Sequence, residues 1–226
     1  MRARPRFRIA YRDIGLSVVL AIQASIMFVV APMAATGLVA PGVIDAFRFG
    51  LAAVALLLLT RSRWAFATIA ATLALSLILS LALRSGPAET ASYLFRLAVT
   101  TAFDVAVAVV VARVAFGPGP VTIHRIMGGV ILYLSIGLIF ASAYRAAAVL
   151  LQPSFSGLPA NRRAALSELL YFSLSTLTTT GFGDIVPLHP FVRSLANLEA
   201  VIGQLFPATL LARLVSLHTA KDDRNE

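Results

Sequence analysis

Cysteine is absent from the 226 residues, so the chain can build no disulfide, no thiol redox centre and no cysteine-ligated metal site. Charge is scarce as well. Asp, Glu, Lys and Arg make up 13% of the residues, against about 25% in an ordinary soluble domain. There is no G-x-G-x-x-G and no Walker sequence, which removes the usual phosphate-cradling loops of nucleotide enzymes. A T-x-G-x-G sequence occurs once and is not repeated. No soluble domain is expected at either end.

What is abundant is apolar surface. Hydrophobic residues account for 59% of the chain and the mean hydropathy is +0.87, which reads as an integral membrane protein. The formal charge of +9 would suggest a nucleic-acid partner in a soluble protein. Here arginines at the cytoplasmic ends of membrane helices explain it better, and no nucleic acid is expected.

Residues 1–13 form a basic arm with Arg2, Arg4, Arg6, Arg8 and Arg12, suited to the cytoplasm and to anionic headgroups. The apolar run that follows, about Ile14 to Ala35, is long for a signal-peptide core, so an uncleaved first span is expected. A second span covers about Pro41 to Thr60, with Asp45 and Arg48 spaced for a local ion pair. The third covers about Trp64 to Leu83 and the fourth about Ser92 to Phe116. Residues 14–116 thus read as a four-helix transmembrane domain of unassigned role. Gly117-Pro118-Gly119-Pro120 breaks the chain before a second domain, residues 121–218. That domain opens with a fifth span, about Val121 to Leu151, and closes with a sixth, about Pro190 to His218. Residues 219–226 are a short polar tail. Counting arginines on alternate loops places both termini in the cytoplasm, in a cell (plasma or inner) membrane.

A voltage-sensing helix needs arginine at every third position. The fourth span carries Arg96 and Arg113 near its ends and Asp104 between them, so the pattern is missing.

Between the fifth and sixth spans lies LSELLYFSLSTLTTTGFGDIVP, from Leu166 to Pro187. Apolar residues at helical spacing predict a helix of about three turns, too short to cross a bilayer, which needs about 20 apolar residues. Thr179-Thr180-Gly181-Phe182-Gly183-Asp184 follows it. Alternating glycine with other residues lets successive carbonyls point the same way, because glycine reaches backbone conformations strained for the rest. Non-helical backbone at membrane depth is tolerated where it is buried or lines water.

This stretch resembles the potassium channel pore family, whose filter reads TVGYG. Thr180 stands for the valine and Phe182 for the tyrosine, so a hydroxyl that could brace the filter is missing. The resemblance implies an all-α polytopic membrane protein with six transmembrane helices, a re-entrant pore helix and a selectivity filter between the fifth and sixth. It implies K+ held by Thr179, Thr180, Gly181 and Phe182, with Gly183 completing the backbone and K+ as permeant ion rather than cofactor. It also implies a homotetramer, since one filter per chain cannot enclose an axis.

Further roles follow from the same resemblance. Asp184 belongs at the outer mouth, or else caps a turn with its own side chain. Tyr171 and Phe172 occupy the place of an aromatic cuff around the filter, or simply pack in the membrane. Glu199, an acid inside a span, supports the filter from behind or is a protonated structural residue. Gly203 and Pro207 mark a bend in the last helix, and Leu211 and Val215 a hydrophobic gate below it, against lipid-facing or bundle packing. The expected function is passive, potassium-selective conduction without covalent chemistry and without steep voltage gating. The alternatives are a nonselective cation channel, a non-conducting subunit or membrane scaffold, and a permease. The last would want paired broken helices, and only one broken segment appears.

Overall fold

The computed structural model describes residues 6–40, 42–54, 90–116, 123–159 and 162–222, with a few single helical positions between 67 and 78. The expected third span falls almost wholly outside the described residues, as does the second half of the second.

The first helix runs unbroken through three geometries. α1 (Arg6–Ser25) passes into a π-helical turn, Ile26–Val30, and then into α2 (Ala31–Ala35). Pro32 has no N–H to donate to the preceding turn. The wider turn absorbs that defect, with the Ala31 N–H bonding back to Ile26. α3 covers Gly42–Val54, α4 Thr90–Ala115 and α5 Ile123–Leu150. α6 is Arg162–Leu177 and α7 Pro190–Asp222. Four stretches are long and apolar enough to cross a membrane among the described residues: Gly15–Ala35, Thr90–Arg113, Arg125–Leu150 and Pro190–Arg213.

At 16 residues α6 exceeds the three turns that its apolar spacing predicts. The extra turn at its start carries Arg162, Arg163 and two alanines, which no apolar periodicity could register. It still falls short of the length a spanning helix needs. α7 starts on Pro190, a residue suited to the first helical position because the missing N–H is unpaired there anyway. His189 adds a cap, its Nδ1 accepting the Phe191 N–H at 3.3 Å.

Two buried clusters hold the bundle together. Leu16, Val19, Phe103, Val107, Val111 and Ile131 bury α1, α4 and α5 against one another. Tyr144, Leu169, Phe172, Ile185 and Val192 join α5 to α6 and α7. A smaller group, Met27, Ala141 and Leu170, packs the first helix against α5 and α6. The first helix and α4 are therefore in direct apolar contact with α5, and the first helix also with α6.

Arg48 reaches beyond its own helix. Its guanidinium donates to Asp104 of α4 at 2.6 Å, so the ion pair ties α3 to α4. The Asp45 side chain lies outside the described residues. A two-residue antiparallel ladder completes the fold: β1 (Phe155–Ser156) pairs with β2 (Val186–Pro187), Phe155 opposite Pro187. It brackets α6 and the segment after it.

Candidate functional site

α6 ends by tightening. The Thr178 N–H reaches Leu174 O at 2.9 Å and the Thr179 N–H reaches Thr176 O at 2.9 Å. The chain then folds back along the helix and Ser175 gathers three successive amides. Its carbonyl accepts from Thr180 N at 2.8 Å and Gly181 N at 3.3 Å, and its hydroxyl oxygen accepts from Phe182 N at 3.4 Å.

Every second residue of this segment is left-handed, with φ of 58° at Thr179, 60° at Gly181 and 80° at Gly183. Glycine adopts such values freely, but a β-branched threonine does so only under strain of about 1–3 kcal/mol. That alternation turns successive carbonyls toward one side, while the amides are occupied on the other. Among the described residues, none of the carbonyls of residues 179–183 accepts a hydrogen bond. Phe182 is 68% exposed, and Thr179, Thr180, Gly181 and Gly183 are exposed with it.

The two aromatic residues of α6 part company. The Tyr171 ring stacks on Phe182, centroids 5.7 Å apart and planes 16° from parallel. Its hydroxyl donates to Asp184 Oδ1 at 3.1 Å. The same oxygen accepts the Ile185 N–H at 3.1 Å, so Asp184 both caps its loop and anchors Tyr171. Phe172 turns the other way, edge-on to Tyr144 at 5.0 Å and to Phe155 at 5.4 Å. It packs α6 against α5 and β1, not against the 179–183 segment.

Behind α6 lies Glu199, which is fully buried. It is hydrogen-bonded to the Ser173 hydroxyl at 2.5 Å and accepts from the Tyr144 hydroxyl at 2.6 Å. Ser173 Oγ also lies 2.8 Å from Gly137 O. One carboxyl thus links α5, α6 and α7.

At the other end of the segment, the Leu177 carbonyl accepts from the Tyr133 hydroxyl at 2.9 Å. A Cβ on Gly203 would collide with that same carbonyl. Glycine is needed at 203 because α6 ends against α7 there. Pro207 stands one turn further on within α7, and its missing N–H leaves the Gly203 carbonyl without the usual helical partner. Gln204 Nε2 donates to Thr179 Oγ1 at 3.4 Å, placing an amide directly below the first residue of the segment. Leu211 is exposed on the same helix. Val215 is helical, but its side chain lies outside the described residues. Leu198, Val201 and Leu205, at spacings of three and four, leave an apolar stripe of α7 uncovered.

Ser175, Ser173, Tyr144, Tyr133 and Gln204 escape a sequence reading. Each is a single polar residue in an apolar helix, and only the partner, distant in sequence, explains it. The two serines do interrupt the apolar spacing of α6, which is the one legible signal.

Residues 130–220 match a family model described as an ion channel. The chain is 33% identical over 86 residues to "Inward rectifier potassium channel Kirbac3.1" of Paramagnetospirillum magnetotacticum, a match covering 38% of this chain and 26% of that protein. It is 38% identical over 63 residues to "Protein LctB" of Geobacillus stearothermophilus, covering 28% and 46%. Against "Protein LctB" of Bacillus caldotenax it is 33% identical over 87 residues, covering 37% and 64%. The chain therefore spans between about a quarter and two thirds of these relatives. No solved structure matches.

Proposed function

We propose that this chain, whose residues 130–220 carry a pore of the potassium channel family, is a potassium-selective channel that passes ions down their gradient with no covalent chemistry. One observation carries the reading: left-handed φ at residues 179, 181 and 183, with the amides of 180–182 tied back to Ser175 and the carbonyls left unpaired. Carbonyls so arranged replace the water around a dehydrated cation. Thr179 adds its hydroxyl at the inner end and Asp184 stands at the outer mouth. K+ is held at Thr179, Thr180, Gly181 and Phe182.

A single such segment makes one wall, so four chains surround the axis. The uncovered stripe of Leu198, Val201 and Leu205 supports this, since apolar side chains on an inner helix are buried by neighbouring copies or line the conduit. In this reading α6 is the re-entrant pore helix, the chain has six spans with both termini cytoplasmic, and the basic arm meets anionic headgroups. Gly203 and Pro207 flex the inner helix, with Leu211 and Val215 as the constriction below.

Reconstitution in liposomes tests the proposal. The wild-type protein should carry K+ in preference to Na+, and cross-linking in mild detergent should stop at four chains. Gly181→Ala and Gly183→Ala should each abolish flux while the assembly persists, because alanine resists φ near +60° to +80°. Selective flux in either variant would refute the filter assignment. Equal K+ and Na+ permeability in the wild type would instead establish a nonselective cation channel. The stacking of Phe182 on Tyr171, with no hydroxyl on Phe182 to brace it, is the observation that favours this second reading.

A further inference from the structure

A cavity of about 360 Å³ lies away from the filter, between the scaffold helices and the pore helix. Its walls come from the end of the first helix, the start of α3, the first half of α4, the second half of α5 and the first half of α6. In an alternating bundle those ends all belong to the same half of the membrane. The size is that of an ordinary small-molecule site.

Charge among the described residues that line the cavity does not balance. Arg48, Arg96, Arg145 and Asp104 all line it. Asp104 is taken by Arg48 at 2.6 Å, and it forms no other ion pair among the described residues. Arg145 is tethered to Tyr93, its Nε donating to the hydroxyl at 3.3 Å and its guanidinium 5.9 Å from the ring centre. It is thereby held at the wall rather than released toward the interface. Arg96 forms no ion pair among the described residues. Two guanidinium groups without a carboxylate, inside membrane-spanning helices, are costly unless an anion compensates them.

A second observation comes from another lining residue. Gln23 is 2% exposed, and its Oε1 has no hydrogen-bond partner among the described residues. Its orientation is set by chemistry. Ser135 spends its proton on Ile131 O at 2.8 Å, so only the Gln23 Nε2 can face Ser135, at 3.0 Å. The buried Oε1 is left wanting a donor, and such a group is costly unless satisfied. The same cavity has an aliphatic lining that includes Ile26, Leu51, Leu138 and Leu170.

We propose that this cavity binds an acidic amphiphile: an anionic group against Arg96 and Arg145, a hydroxyl donating to Gln23 Oε1, and an apolar body along the aliphatic wall. Its binding is independent of conduction. A hydroxylated fatty acid and an anionic phospholipid with a hydroxylated headgroup share this chemistry. Leu170 and Ser167 put the occupant in contact with the pore helix.

Equilibrium dialysis of the full-length protein in neutral detergent tests the proposal without any flux measurement, so the channel reading can fail while this one stands. Labelled 3-hydroxydecanoate should bind saturably at one per chain. Arg96→Gln, an exposed change that disturbs no partner, should weaken binding about tenfold or more. Gln23→Leu should erase the preference for 3-hydroxydecanoate over decanoate while the protein stays folded, since it removes the unsatisfied oxygen and the Nε2 bond to Ser135 together. Competition distinguishes the sources: displacement by phosphatidylglycerol but not phosphatidylcholine assigns the site to a lipid headgroup, and no displacement by either assigns it to a free acid. Two results overturn the proposal. One is equal binding by wild type and Arg96→Gln, and the other is equal competition by uncharged decane-1,3-diol.

Discussion

The backbone carbonyl of Leu177 occupies the space that a Cβ on Gly203 would need. The last turn of α6 therefore rests directly on the backbone of α7. Two arguments about Gly203 now compete. As a helical glycine it costs about 1 kcal/mol relative to alanine, so Gly203→Ala should stabilise if only propensity mattered. As a contact point it admits nothing larger, and overpacking costs about 1–3 kcal/mol even where side chains can yield, whereas here backbone must. Gly203→Ala should lower the unfolding temperature. Unchanged stability with altered open probability would instead make Gly203 a hinge and nothing more.

Glu199 joins three helices through Ser173 and Tyr144. Glutamine can keep both bonds. Its oxygen accepts from Tyr144 and its N–H donates to Ser173, whose own proton goes to Gly137 O. Glu199→Gln should therefore retain near-normal stability and flux. Glu199→Leu strands the buried Tyr144 hydroxyl and should cost about 1–3 kcal/mol. Thermal unfolding in detergent ranks the two, and a glutamine variant as unstable as the leucine one would mean that charge, not hydrogen bonding, holds the site.

Tyr171 touches the filter twice, by stacking on Phe182 and by its bond to Asp184. Tyr171→Phe separates the two. The ring contact survives, and a hydrogen bond to a carboxylate, worth about 1.5–3 kcal/mol, is lost. The variant should fold and conduct, with K+ over Na+ preference reduced several-fold in bi-ionic reversal potentials. An unchanged ratio would assign Asp184 to loop capping alone.

Voltage dependence should be weak. One charge moved through the whole field is worth about 2.3 kcal/mol per 100 mV, and steep gating needs three or four per subunit. Asp104 of α4 is paired with Arg48 of α3, so any joint motion of these helices carries a neutral pair. Arg96 and Arg113 lie toward opposite ends of α4 and cross little field. Currents in symmetric potassium should vary shallowly with voltage. A steep sigmoid that flattens in Arg96→Gln would contradict the static role given to α4.

The spans Gly15–Ala35, Thr90–Arg113, Arg125–Leu150 and Pro190–Arg213 are legible because each is a long apolar run, and apolar runs are local information. The special backbone at 179–183 is legible because glycine placement is local too. What holds that backbone is not. Ser175 looks like any small polar residue until Thr180, Gly181 and Phe182 fold back on it. Arg48 offers the sequence only Asp45 as a partner, because spacing cannot register Asp104, 56 residues away. Tyr171 and Phe172 look equivalent by adjacency, yet neighbours on a helix point about 100° apart, and one meets Phe182 while the other meets Tyr144. Gly203 reads as flexibility when its neighbour is unknown and as contact once Leu177 is in place.

The ladder between Phe155–Ser156 and Val186–Pro187 gives the loop before the pore helix a mechanical grip on the segment after the filter. Gly157, at φ 83°, sits directly against the Asp184 carbonyl and shortens that linkage further. Force applied to residues 153–159 is thus delivered to Asp184 and Ile185 without first passing along α6. For anyone seeking a handle on this molecule, that loop is the place to hold it: an antibody fragment or peptide clamped there would pull on Asp184 and Ile185 while leaving residues 179–183 uncovered.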